Sequence, residues 1–260
     1  MIKQPIPLTP AKVRVLVRCP LHYHFLEQSP THRPDSVDRA IREAIQQLHA
    51  AGGPARLSLA DCLKPLSDQR EARSMVEGYY HHLKQDWTGM IAGNETMQLR
   101  ISIGRVSLAL QATVDRLDKT SDGGILAILF RSETGPVPAE GDLQQDHAMT
   151  IYHALVAATY PLKRPVRIQE WWLRPDQRIT IELSEEEYRR KLSDLREPVK
   201  ALARSEVMAR PGLHCETCRF KHRGCPVFAH EEEAKQDSLD DLVPSPERGK
   251  ISPRKWVFKI

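Results

Sequence analysis

The chain has 260 residues, 40% of them hydrophobic and 28% charged, with a formal net charge of +4. That composition excludes a low-complexity or disordered chain, and the length suffices for one large domain or a core with additions. The mild basicity is compatible with a nucleic-acid partner without requiring one. The opening MIKQPIPLTP carries no long apolar stretch and predicts no secretory signal. The most apolar short run, Gly123 to Phe130, falls far below the roughly 20 residues a membrane helix needs. The expectation is therefore a cytoplasmic protein without membrane association, where thiols stay reduced. Five cysteines (Cys19, Cys62, Cys215, Cys218 and Cys225) then argue for metal ligation over a disulfide framework.

Thr9 as N-cap with Pro10 at the first helical position predicts a short helix ending near Cys19-Pro20, with aromatic residues after it. Val37, Ile41, Ile45 and Leu48 recur at helical spacing and predict a helix over 36–50, stopped by the turn at Gly52 to Pro54. A third helix is predicted over 69–87, with Met75, Tyr79, Leu83 and Trp87 on one face. The period then changes to two, and MQLRISIG and RVSLALQATVDRLD alternate as half-buried strands do. After a turn at Asp122 to Gly124, ILAILF reads as a strand buried on both faces. A Pro/Gly-rich link leads to a helix over 143–160. RPVRIQEWWL and QRITIEL follow as two strands joined by a turn at Arg174-Pro175-Asp176. Ser184 and Glu187 form a capping box for a last helix, expected to kink at Pro198.

Beyond Cys225 the sequence turns polar and predicts a peripheral tail over 231–260, its last dozen residues carrying Lys250, Arg254, Lys255 and Lys259 around Trp256 and Phe258. The order of elements implies an α/β or α+β fold with a mixed central sheet between helices, as one domain over 1–230.

Cys215 and Cys218 stand at the C-x2-C spacing that lets two thiolates face one metal centre, and Cys225 follows close enough to curl back as a third. The fourth ligand is expected from Cys19, beside Pro20 at a helix end, rather than from Cys62 in the apolar context SLADCLKPL. A zinc site completed by one thiol, or by His214 or His222, is the alternative. His22 and His24 are expected to pack around the cluster, and the adjacent His81 and His82 to lie at the surface, since neighbours on a helix point about 100° apart. Strand alternation places at least one of Trp171 and Trp172 in the core. The mixed charges from Glu185 to Arg204 read as a solvated helix face.

The early Cys-Pro followed by spaced aromatics, with C-x2-C-x6-C near the other end, resembles the iron–sulfur RecB-like nucleases of the PD-(D/E)XK superfamily. AddB-type helicase–nuclease subunits and CRISPR-associated Fe–S nucleases share that layout. The likeness extends roughly over residues 8–226. ATVDRLDKTSDGGILAILFRSETG resembles the stretch written G-x-(I/V)-D-R-(I/V)-D and then D-x-K-T-G, and DHAMTIYHALVAA resembles the helix written Q-L-x-x-Y. The resemblance implies a restriction-endonuclease-like core whose chain ends are clasped by a 4Fe–4S cluster on Cys19, Cys215, Cys218 and Cys225. It also implies a role in DNA repair, recombination or defence, with DNA and a helicase or similar protein as partners.

Such nucleases hold Mg²⁺ or Mn²⁺ on carboxylates, which polarise the scissile phosphate and acidify a bound water, while a lysine offsets developing charge. Asp115 matches the first acid and is the candidate Mg²⁺ or Mn²⁺ ligand. The second acid's position holds Arg131 and the lysine's position holds Glu133, so D-x-K-T-G has become R-S-E-T-G. Asp38 stands where the family has a helical histidine, Ala112 where it has a glycine, and Ala148 where it has the glutamine; Tyr152 of that helix is kept. The expectation is a pseudonuclease that binds DNA or serves structurally. One alternative is an active nuclease with a rearranged site, in which Glu133 joins Asp115 and a lysine such as Lys119 substitutes. The other is a scaffold that binds protein and no DNA.

Overall fold

The computed structural model describes residues 4–28, 36–86, 89–228 and 258–259. In chain order these form β1 (Ile6–Leu8), α1 (Pro10–Arg18), α2 (Pro20–Gln28), α3 (Ser36–Ala50), α4 (Leu59–Leu63) and α5 (Arg70–Asp86). Next come β2 (Met90–Ile103), β3 (Val106–Lys119), β4 (Ile125–Arg131), α6 (Glu140–Gln145), α7 (His147–Thr159), β5 (Val166–Trp172) and β6 (Gln177–Glu182). The chain closes with α8 (Glu185–Asp194), α9 (Arg196–Ala203), β7 (Glu206–Val207) and β8 (Phe258–Lys259).

The described residues divide into two compact units. One comprises 1–10, 32–102 and 107–192, the other 11–31, 103–106 and 193–260. Apart from β8, which pairs with β7, the predicted tail lies outside the described residues, as does Trp87.

The first unit is built on a mixed sheet in the order β1-β3-β4-β5-β6, with β2 also paired to β3. β1 runs parallel to β3, β3 antiparallel to β4, β4 parallel to β5, and β5 antiparallel to β6. The parallel β4–β5 pair needs a crossover, which α6 and α7 supply. Ile41, Ala44, Ile45 and Leu48 of α3 and Met75, Val76, Tyr79 and Leu83 of α5 pack with Ile128, Phe130, Trp171 and Leu173 of the sheet. α7 carries buried residues almost all round, from Ala148 to Val156, and packs against β5. This is the α/β arrangement the sequence implied, a mixed sheet flanked by helices.

Two local expectations are corrected. The helix expected over 143–160 breaks at Asp146, whose carboxylate accepts the Ala148 N–H at 2.8 Å and so starts α7 afresh. The expected kink at Pro198 is instead a break at Leu195; Pro198 then falls in the first turn of α9, where its missing N–H removes no helical hydrogen bond. At least one of Trp171 and Trp172 was expected in the core, and both are buried, because β5 is covered on both sides. The capping box forms as read, with Glu187 N–H donating to Ser184 Oγ at 3.2 Å and Ser184 N–H to Glu187 Oε2 at 2.9 Å.

In the second unit, Cys19, Leu21 and Val207 make a small core with Phe25, Leu202 and Ala209. Among the described residues no helix is long and apolar enough to cross a membrane.

Candidate functional site

Asp115 sits on β3 with a side chain only 10% exposed. Burial raises its carboxyl above the ordinary carboxylate range; the Arg42 charge, the Phe130 N–H and the Arg131 charge offset part of that. Both of its oxygens are engaged. Arg42 Nη1 donates to Oδ1, and the Phe130 backbone N–H donates to Oδ2 at 2.8 Å.

Arg42 comes from α3, one residue past the buried Ile41, so the amphipathic packing of that helix delivers the guanidinium to the sheet. Its Nε donates to Asp38 Oδ2 at 2.9 Å and its Nη2 to the Phe130 carbonyl at 3.1 Å. Asp38 is fixed in turn by the Ser132 hydroxyl. Burial would lower the Arg42 pKa, but Asp115 and Asp38 outweigh it and hold the group firmly charged.

Arg131, the last residue of β4, turns to the neighbouring strand. Its Nε donates to Glu170 Oε1 at 2.9 Å, and its Nη2 donates to the same oxygen. Glu170 is 2% exposed, and its Oε2 accepts from Trp172 Nε1 at 3.3 Å. The site thus holds three acids, Asp38, Asp115 and Glu170, interleaved with two guanidiniums. Mg²⁺ requires near-octahedral oxygen ligation at about 2.0–2.1 Å. Here the oxygens of Asp115 and Glu170 already face N–H donors.

Glu133 lies exposed beyond the end of β4 and reaches Arg131 only through its charge. Tyr152, half-buried on α7, also acts on Arg131. Lys119 pairs with Ile125 at the far end of β4 from Arg131. Four residues of strand, about 13 Å, separate it from Asp115, so it does not join the site. Arg42 and Glu170 were not singled out in the sequence. The readable signal for Glu170 was an acid interrupting the apolar alternation of Val166, Ile168 and Trp172, since a charge in a buried stripe needs a partner. Nothing local marks Arg42, whose partner lies 73 residues away.

The second unit brings Cys19, Cys215, Cys218 and Cys225 to the lining of one cavity, together with His22, Phe25, Arg210, His214 and Phe220. Tight turns shape the terminal triplet, with Cys215 N–H donating to the Gly212 carbonyl at 2.9 Å and Cys218 N–H to the Cys215 carbonyl at 3.3 Å. The Arg210 backbone N–H donates to Cys19 Sγ at 3.5 Å, and Arg210 Nη1 donates to the Val17 carbonyl at 2.9 Å. Burial raises the Cys225 thiol; the Val227 N–H opposes this, while the nearby Cys19, Cys218 and Cys215 add to it. His22 stacks edge-on with Phe220 at 5.4 Å, and its pKa is lowered by burial and then by Arg219, His214 and Arg18.

Among the described residues no three His, Cys, Asp or Glu side chains stand close enough to hold a single metal ion. The donor set nevertheless fits a metal group: four thiols, two of them accepting a backbone N–H, around a common cavity. Cys62 is elsewhere, 0% exposed in the helical core of the first unit, its thiol pushed by burial to about 11. His81 and His82 are surface residues, as expected.

The family model for the PD-(D/E)XK nuclease superfamily matches residues 7–226. No curated protein matches. Among solved structures, SSO0001 is similar at 17% identity and a TM-score of 0.42, over 88% of this chain and 89% of its own. A protein named "Putative exonuclease" from Eubacterium rectale is similar at 10% identity and a TM-score of 0.48, over 94% of this chain and 91% of its own.

Proposed function

Because the chain belongs to the PD-(D/E)XK nuclease superfamily, we propose that it is a RecB-like, iron–sulfur member whose hydrolytic centre no longer assembles. It serves as a DNA-binding or structural pseudonuclease in a reducing cytoplasm, in DNA repair, recombination or defence beside a helicase or similar protein. One observation carries this reading: the acid that should hold a metal, Asp115, has both oxygens engaged by Arg42 and the Phe130 N–H. Arg131 adds a second cation where the family has an acid. A divalent ion would have to displace a guanidinium from a buried carboxylate and then tolerate another beside it, which Coulomb's law strongly opposes at low dielectric.

Cys19, Cys215, Cys218 and Cys225 would hold a 4Fe–4S cluster. Four thiols lining one cavity give the all-sulfur donor set that such a cluster takes, one thiolate to each iron. The cluster would supply a cross-link between the two ends of the second unit. The chain's own residues shape its seat: Arg210 donates to Cys19 sulfur, and Phe25 and Phe220 limit water.

The test is incubation of the purified, anaerobically prepared protein with single- and double-stranded DNA and Mg²⁺ or Mn²⁺. Intact substrate together with salt-sensitive DNA retention is expected. Cleavage abolished by Asp115→Ala would overturn the reading in favour of a rearranged active site. Absence of DNA retention even at low salt would leave a protein-binding scaffold.

A further inference from the structure

The long edges of the mixed sheet are built differently. β6 ends it on one side; it is short, carries Arg178 and Glu182, and has α6 packed against it. Those are devices that keep an edge strand from pairing with another chain. On the other side β3 gives one flank to β1 and β4 and the opposite flank to β2. Among the described residues β2 pairs with β3 alone, and from Met90 to Ile103 it holds no proline and no lysine.

A bulge blunts only the start of β2. The Lys119 N–H donates to the Gly89 carbonyl at 2.7 Å, while the Thr96 and Thr113 hydroxyls meet at 2.9 Å. Between these two points β2 advances one residue more than β3, and Asn94, at φ 53°, lies within that stretch. From Glu95 to Ile103 the strand is regular, and Gly104 and Arg105 close the hairpin. In a two-residue hairpin the residues flanking the loop exchange hydrogen bonds, and such pairs alternate along the strands. The backbone N–H and C=O groups of Thr96, Gln98, Arg100 and Ser102 therefore point away from β3. Their side chains are exposed, on the face opposite the buried Met97.

This edge is self-complementary. Laid antiparallel on a second copy about a two-fold axis through Leu99, Gln98 faces Arg100 and Thr96 faces Ser102, and symmetry makes each pair twice. The Gln98 amide oxygen can accept from the Arg100 guanidinium, and the Thr96 and Ser102 hydroxyls can bond each other. Among the described residues neither Gln98 nor Arg100 has a side-chain partner in its own chain. On the other face Leu99 meets Leu99 and Met97 meets Ile101, so the apolar row continues across the axis.

We propose that β2 pairs with β2 of a second copy of this chain, in a two-fold dimer held by the outward backbone groups of residues 96–102. The pairing is independent of whether Asp115 binds a metal or the cysteines a cluster.

The experiment is sedimentation velocity of the full-length, anaerobically purified protein over a concentration series. The wild type is expected to pass from monomer to dimer. Gln98→Lys sets an ammonium against Arg100 twice and should weaken dimerisation about tenfold. Gln98→Glu sets a carboxylate there instead and should tighten it about threefold. Gln177→Lys, the same change on exposed β6, should leave it unaltered. Circular dichroism of the variants would establish that they fold. The proposal is overturned by a monomer at every concentration, by the two Gln98 variants shifting the equilibrium the same way or not at all, or by Gln177→Lys weakening the dimer as much as Gln98→Lys.

Discussion

In the sheet-bearing unit, the network around Asp115 is saturated from within. Asp115 and Glu170 spend all four carboxylate oxygens on N–H donors of Arg42, Phe130, Arg131 and Trp172. In the cysteine-bearing unit, by contrast, four thiols converge on a shared cavity and receive little from the chain beyond the N–H groups of Arg210 and Val227. A site whose polar atoms satisfy one another needs no ligand to be stable; a site of convergent soft donors is completed by one. The same chain therefore carries one set of polar groups that satisfies itself and one set of soft donors that does not.

The largest expected effect falls on the thiols. Cys19→Ser should bleach the visible absorption of anaerobically purified protein and lower its iron content. It should also cost about 4 kcal/mol or more of stability, because the cross-link closes a loop of nearly two hundred residues. Cys62→Ser, in the other unit, should leave the spectrum unchanged. A colourless wild-type protein carrying zinc would break this side of the comparison.

A smaller loss is expected at the closed site. Arg42→Ala leaves Asp115 buried without its cation and should cost about 3 kcal/mol in urea unfolding. Adding Asp115→Asn should recover much of that, since a neutral amide tolerates burial better. If Arg42→Ala alone proved neutral, the network would not be the structural element described.

Smaller again is a pH effect in the first unit. Burial, and then Arg116, lowers His49 to about 4. The unfolded chain binds a proton there near pH 6.5 and the folded chain only near 4, so between these values the unfolded state holds more protons. The contribution is fully present above about pH 6.5 and is lost as pH falls through about 4. It amounts to roughly 2 kcal/mol after allowing for partial exposure. His49→Gln, which keeps a partner for Tyr79, should flatten the stability profile over that window.

Much of this was legible in the chain. The helix over 36–50 was readable because its apolar residues recur at one period and glycines end it, and the strands because alternation is strict. The cysteine spacing named its own constellation. R-S-E-T-G put Arg131 and Glu133 where the resembled motif has an acid and a lysine, but did not say what meets Asp115. That answer needed α3 packed on the sheet, since Arg42 and Asp115 meet only in three dimensions. The break at Asp146 was hidden by an unbroken apolar pattern on either side, though an aspartate ahead of such a run is itself a cap signal. α2 was missed because its aromatics and histidines follow Cys19-Pro20 without a clear apolar stripe.

The most direct test of the closed site is a Mn²⁺ titration of the anaerobically purified protein, followed by calorimetry beside Asp115→Ala. The account predicts that the two proteins give the same trace, with no binding event that depends on Asp115. A single saturable Mn²⁺ site in the wild type, absent from Asp115→Ala, would contradict it.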